Sequence, residues 1–305
     1  MLLILPQRGS KPSQQRHRQN EVTEVTSGIR DANCPECLDS FQLGSLTVWI
    51  SRPQQPRAED YLRRPEVETP LAACLSRDEF GPPLAPLLVG PPGSGKTTLA
   101  QVVARRQERP FFRFQGNSSV TAEDFLCVGR IAPTGVEYVL QPVAAAMVLG
   151  ALVLVDDIDK VDSKALSLFL PILDGATTIE STLLGGVVQV SPDFRLVFAS
   201  NELESLPLFL RTRVVTFRVD YPDVGEVVRM AELHVPDTGA SLTRAFLHAW
   251  KRRNGSNGSL APREAVRIFQ LAGKFGKTGQ PVRGAVQAAM DAVLGSGAGG
   301  AERRG

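Results

Sequence analysis

Leu87-Leu88-Val89-Gly90-Pro91-Pro92-Gly93-Ser94-Gly95-Lys96-Thr97-Thr98 is the stretch that decides the fold. An apolar run of strand type meets a glycine-rich bend, and a helical run from Thr97 to Arg106 follows. Residues 90–97 fit G-x-x-x-x-G-K-[ST], and a strand before and a helix after are the context that this motif requires. Gly90, Gly93 and Gly95 allow the backbone to curl with its N–H groups pointing inward. Those donors and the helix N-terminus make a nest for an anion. Lys96 brings a positive charge to β- and γ-phosphates, and Thr97 offers a hydroxyl to Mg²⁺. Pro91, Pro92, Ser94 and Thr98 complete the candidate phosphate-binding stretch.

A second apolar run, Ala151 to Val155, reads as a buried central strand and ends in Asp156-Asp157. Two adjacent carboxylates repel each other and are easiest to explain beside a cation. Asp156 is therefore the candidate Mg²⁺ ligand, and Asp157 the group that orients or deprotonates an attacking water. Asp159-Lys160-Val161-Asp162 faintly resembles the guanine-reading N-K-x-D pattern, but it has Asp for Asn and follows the acidic strand directly. It reads as a loop with Asp162 capping the next helix.

Outward from these two motifs, strand-like runs alternate with helical segments, the pattern of a parallel α/β sheet. The expected strands are 87–89, 110–114, 152–155, 196–199 and 214–219. From 221 to 294 the pattern is helical only, with helices expected over 224–234, 242–251, 263–274 and 283–293. The fold class is thus α/β, a P-loop NTPase sheet sandwiched by helices and followed by a small all-α lid. The expected division is a leader over 1–83, partly disordered, an α/β core over 84–220, the lid over 221–294 and a glycine-rich tail over 295–305. Residues 31–85 carry apolar clusters between prolines and receive no fold assignment.

Composition sets outer bounds. The chain has 305 residues, 43% of them hydrophobic and 22% charged, ordinary values for a globular protein. A net charge of +2 gives no bias toward nucleic acid, and the one basic cluster, Lys11 to Arg18, lies in the leader. No apolar run approaches the roughly 20 residues of a spanning helix. Leu2 to Leu5 is shorter than the roughly 7–15 residues of a secretory core. A cytoplasmic location with no membrane association is expected. Cys34 and Cys37 have C-x-x-C spacing without a second pair, half a zinc site, and read as free thiols or as a site completed elsewhere.

Taken in order, these segments resemble the MoxR and dynein-related branch of AAA+ ATPases over roughly 84–293. "VGPPGSGKTTLA" resembles the family's Walker A, "FQGNSSVTAEDFLCVGRI" its second strand and following segment, and "ALVLVDDIDKVDSKALSLFLPILDG" its Walker B and helix. "FRLVFASNELESLPLFLRTRVV" is similar to the sensor-1 strand and arginine-finger region, and "GSLAPREAVRIF" to the start of the sensor-2 helix. The resemblance implies ATP and Mg²⁺ as cofactors. It implies Asn201 as sensor 1, Arg213 (or Arg211) as a finger acting on a neighbour's ATP, and Arg263 as sensor 2. The plain alternative for each arginine is a solvated surface charge. A hairpin over 177–190, turning at Gly185-Gly186, resembles the branch's pre-sensor insert.

The activity implied is ATP hydrolysis by a self-assembled ring, by family habit a hexamer, that remodels a protein client. A von Willebrand A-type protein is a partner common in this branch. The alternatives are a nucleic-acid motor or loader, and an ATP-binding switch with little turnover. The sequence departs from the family at Asp157, where Glu is usual, and at Glu202, where Pro is usual after the sensor-1 asparagine.

Overall fold

The computed structural model describes residues 4–6, 37–43, 46–54, 63–133, 135–235, 239–254 and 259–295. In chain order the elements begin β1 (Ile4–Pro6), β2 (Cys37–Leu43), β3 (Leu46–Ser51), α1 (Pro65–Cys74), β4 (Pro86–Val89), α2 (Lys96–Arg106), β5 (Phe111–Gln115) and α3 (Ala122–Leu126). They continue with β6 (Cys127–Ala132), β7 (Gly135–Leu140), α4 (Pro142–Leu149), β8 (Leu152–Asp156), α5 (Ser163–Leu166), α6 (Phe169–Leu173), β9 (Thr178–Ser181) and β10 (Gly186–Gln189). Last come β11 (Arg195–Ser200), α7 (Leu208–Arg211), β12 (Val215–Arg218), α8 (Val224–His234), α9 (Ala240–Asn254), α10 (Pro262–Lys277) and α11 (Val282–Leu294).

The chain divides into two compact units. One comprises Met1–Pro56, Pro65–Val89 and Leu99–Arg218, and the other Arg57–Arg64, Gly90–Thr98 and Val219–Gly305. All five expected strands meet in the first unit as one parallel sheet, ordered β12-β4-β11-β8-β5. β4 and β8 are buried at every residue, which is why their sequences are unbroken apolar runs. At one edge β5 alternates, with Phe112 and Phe114 inward and Arg113 and Gln115 less buried. α4 has Pro142 in its first turn and buries Val143 through Met147, so it is apolar on all sides and lies inside the core.

One face of the sheet is tied together by a relay of rings. Phe114 of β5 lies 4.6 Å from Phe125 of α3, Phe125 lies 4.9 Å from Phe169 of α6, and Phe169 lies 5.1 Å from Phe198 of β11. The last two contacts are edge-to-face, the geometry that ring quadrupoles favour. Behind the sheet, buried Arg195 donates to the carbonyls of Leu75 (2.6 Å), Phe194 (2.8 Å) and Pro192 (3.0 Å). Burial, and after it the charge of Arg109, pulls this guanidinium down to about 10.

Two smaller sheets belong to the same unit. β6 and β7 form a hairpin, and β3 joins β7 in parallel with Val48 opposite Tyr138, giving the order β2-β3-β7-β6. Residues 37–51 and 65–74, which the sequence places in a leader, are thus strands and a helix of the first unit. Trp49 is the anchor: its indole donates to Glu137 (2.9 Å), and the Arg130 guanidinium lies 5.0 Å over its ring. β9 and β10 form the hairpin expected over 177–190, entered through Gly185 at φ +59°, and β1 pairs with β10 on its other side.

The second unit holds α8 through α11 around Val227, Phe246, Trp250, Ile268, Phe269, Val286 and Met290. α8 starts with a capping box, in which Asp223 accepts from the Glu226 N–H and Glu226 accepts from the Asp223 N–H. Among the described residues, no helix is long and apolar enough to cross a membrane. Cys34 lies outside the described residues, as does the side chain of Cys37, and with them the C-x-x-C reading.

The ring relay yields a test of stability. Phe169→Ala removes a fully buried ring that touches two others, and it should cost about 3–5 kcal/mol in urea unfolding of the full chain.

Candidate active site

The candidate residues form two groups, one in each unit. The first is the bend between β4 and α2. Gly93 and Gly95 lie at φ +84° and +96°, a region that a Cβ disfavours, so the bend needs its glycines. Four of its carbonyls are held. Lys96 Nζ donates to Gly90 O (2.6 Å) and Pro91 O (3.1 Å), and the Ser94 N–H also donates to Pro91 O (3.2 Å). The Tyr221 hydroxyl donates to Pro92 O (2.8 Å), and Arg64 Nη1 donates to Ser94 O (3.3 Å). A planar peptide whose C=O is held on one side presents its N–H on the other. The Gly90 and Pro91 carbonyls precede prolines and have no N–H on their peptides, but holding the Pro92 and Ser94 carbonyls turns the Gly93 and Gly95 N–H groups the other way, toward an anion. Burial first, then the charge of Glu264, raises the Tyr221 phenol, which keeps it a protonated donor.

Ser94 Oγ is buried and has no hydrogen-bond partner among the described residues. A buried hydroxyl without a partner at the mouth of such a nest fits an acceptor supplied by a ligand. Arg263, in the first turn of α10, runs beside the bend: a Cβ at Gly93 would lie 3.7 Å from its Cδ.

The second group gathers at the end of β8. Asp156 is only 5% exposed. Its Oδ2 accepts from Arg113 Nη2 (2.7 Å) and Nε (3.1 Å), and its Oδ1 from the Asp157 N–H (3.1 Å). Asp157 sits at φ 53°, ψ 42°, a left-handed conformation that Asp tolerates better than most residues. Its Oδ2 accepts from Lys160 Nζ (2.6 Å) and Gln115 Nε2 (2.7 Å), and its Oδ1 from Asn201 Nδ2 (3.3 Å). Partial burial pushes the Asp157 carboxyl up. The hydrogen bond and charge of Lys160, with hydrogen bonds from Asn201 and Gln115, outweigh it and hold the pKa below the usual carboxylate value. The adjacent acids thus have a cation each, Arg113 for Asp156 and Lys160 for Asp157.

The remaining arginines lie beyond β11. Arg213, in the turn before β12, is exposed, pairs with Asp174 (2.7 Å) and donates to Phe209 O (3.0 Å). The hydrogen bond to Asp174 raises its pKa. Arg211 is half-buried, and its Nε has no partner among the described residues. Asp162 caps α5 by accepting from the Lys164 N–H (2.8 Å).

Residues 86–213 match the family described as AAA domain (dynein-related subfamily). Over these residues the chain is similar to the dynein-related branch of AAA domains. The chain is similar to an uncharacterised protein of Staphylococcus saprophyticus, 30% identical over 146 residues, which covers 45% of this chain and 56% of that one. It is similar to the denitrification regulatory protein NirQ of Pseudomonas aeruginosa, 28% identical, covering 52% and 62% of the two chains. The chain thus spans less than two thirds of these two relatives. The fold is similar to that of RuvB from Thermotoga maritima, described as a Holliday junction branch migration motor, with a TM-score of 0.53 at 19% identity, over 79% of this chain and 75% of that one.

Four residues of this candidate site escaped the sequence reading: Arg113, Gln115, Lys160 and Gly116. The first three reach the acids only through strand pairing or a helical turn, as in the register of Gln115 with Asp156. Arg113 has one sequence signal, a charge alternating with phenylalanines on an otherwise apolar strand. Gly116 donates its N–H to Asp156 O (2.7 Å). A Cβ there would lie 2.6 Å from Asp157 O and 3.0 Å from Asp156 O. Because those atoms are backbone, Gly116→Ala should displace the acidic pair. It should cost about 1–3 kcal/mol in urea unfolding and speed amide exchange at residue 116.

Proposed function

We propose that this protein binds ATP with Mg²⁺ and hydrolyses it within a ring of like subunits. The observation that carries the proposal is the bend over 90–95, where the held Pro92 and Ser94 carbonyls turn the Gly93 and Gly95 N–H groups away from them, beside a Ser94 hydroxyl without a partner among the described residues. β4, β8 and β11 run parallel, so their C-terminal ends lie along one edge, where the bend begins by chain connection to β4.

In this reading the bend binds the triphosphate, and Lys96 turns from the Gly90 and Pro91 carbonyls to the β- and γ-phosphates. Thr97 and Asp156 are oxygen donors, the kind that Mg²⁺ takes in small number when phosphates supply the rest. When bound, Mg²⁺ neutralises charge that develops on the phosphates.

Asp157, held below the usual carboxylate pKa by its donors, is a weak base placed to orient the attacking water or accept its proton. Asn201 fixes Asp157 from the neighbouring strand as sensor 1, and Arg263 reaches the γ-phosphate as sensor 2. Arg213, exposed and paired with a single surface carboxylate, is the finger offered to the next subunit's ATP. Arg211, half-buried, is the lesser candidate.

The client in this reading is a protein, remodelled or activated as in the MoxR branch, and the compartment is the cytoplasm. NirQ, named as a regulatory protein, is a relative in keeping with such a role. A second reading, a nucleotide switch with slow turnover, is favoured by one observation: Asp157 is a methylene shorter than the usual Glu and already accepts from three side chains.

Fluorescent ATP analogues and steady-state assays test the proposal. Lys96→Ala should weaken Mg·ATP binding by about 100-fold or more with the fold retained, the loss expected when a buried charged partner is removed. Arg213→Ala should leave affinity unchanged and lower turnover by about 10³-fold. Specific activity of the unaltered chain should rise with protein concentration as rings assemble. Turnover at the wild-type rate in Lys96→Ala would overturn the site.

A further inference from the structure

Arg113 bonds Asp156 directly and reaches Asp157 through Gln115. β5 and β8 run parallel, with Arg113 opposite Leu154 and Gln115 opposite Asp156. Residues two apart on a strand share a face, so Arg113 and Gln115 project together toward the end of β8. The guanidinium divides its donors. Nε and Nη2 both reach Asp156 Oδ2, at 3.1 and 2.7 Å, and Nη2 also reaches Gln115 Oε1 at 2.6 Å. Gln115 in turn donates Nε2 to Asp157 Oδ2 at 2.7 Å.

An amide has one accepting and one donating end, and nothing in its shape distinguishes them. Arg113 does distinguish them. Because it only donates, Gln115 must turn Oε1 toward it, and Nε2 then faces Asp157. With the amide reversed, Oε1 would meet the Asp157 carboxylate, and Nε2 would meet the guanidinium, two repulsive contacts.

We propose that Arg113 is a positioning residue for ATP hydrolysis, setting the rotamer of Asp156 directly and the orientation of Asp157 through Gln115. The inference rests on the function proposed above and adds to it a residue outside both phosphate-loop and acidic-strand motifs. Lysine cannot stand in for it: an ammonium is a point charge, whereas the fork of Arg reaches two acceptors in fixed directions.

The test uses the full chain, with Arg113→Met, Arg113→Lys, Gln115→Ala and the Arg113→Met/Gln115→Ala pair. A fluorescent ATP analogue with Mg²⁺ gives affinity, steady-state assays give kcat, and thermal melting reports folding. Affinity should stay within about 3-fold of the unaltered chain in Gln115→Ala, and in the Arg113 variants it should change less than turnover does, since the bend holds the phosphates. Turnover should fall about 10–100-fold in Arg113→Met and in Gln115→Ala, and the double variant should fall little further than the worse single one, because both act on Asp157 along one path. Arg113→Lys should stay at least about 5-fold below the unaltered chain, and it is the deciding variant if Arg113→Met loses its cooperative melt.

Wild-type kcat in Arg113→Met or Arg113→Lys, or losses that multiply in the double variant, would overturn the inference and leave the proposed function standing. An unaltered chain that binds but never hydrolyses ATP, or binds none, would remove both.

Discussion

A carboxylate at the end of a wholly buried strand is the constraint on which the rest of the site depends. Taking a charge out of water costs far more than a fold can spare unless a partner answers it. Asp156 is nearly sealed, and its neighbour Asp157 adds a second negative charge one residue away. Arg113 from the strand on one side and Lys160 from the following turn balance them, and Asn201 from the strand on the other side supplies an amide. The order β11-β8-β5 is therefore an electrostatic requirement as much as a packing one.

The phosphate loop solves the opposite problem. Its task is to keep N–H donors unspent, and a chain left to itself would fold those donors against its own carbonyls. Here Tyr221 and Arg64 take up the Pro92 and Ser94 carbonyls, whose peptides carry the Gly93 and Gly95 N–H groups, and Lys96 holds the carbonyls of Gly90 and Pro91. The donors are thereby preorganised, and little reordering remains for the moment of binding. Lys96 is both a clasp on the bend and the charge best placed to turn from it to a phosphate.

Much of this was legible in the residues because the decisive signals are local. The bend needs glycine at left-handed φ, a helix must start at Lys96, and a strand buried on both faces must be an unbroken apolar run. Each of these is visible within a dozen residues. The four helices of the second unit were legible for the same reason: each carries its own apolar stripe. What escaped was whatever pairs across distance. Val48 meets Tyr138 and Trp49 meets Glu137 across some ninety positions, so residues 37–51 gave no sign of the sheet that they join. Residues 65–74 likewise gave no sign of belonging with the α/β core.

The sequence by itself determined the phosphate loop, the acidic strand end, the five parallel strands and the all-helical region after them, because backbone conformation and burial periodicity are written in neighbouring residues. Only the tertiary structure decided which side chains surround the acids. Arg113 and Gln115 lie on β5 and Asn201 just past the end of β11, far apart in the chain, and they become neighbours through inter-strand hydrogen bonding and register. A one-residue slip in that register would turn Arg113 and Gln115 to the opposite face.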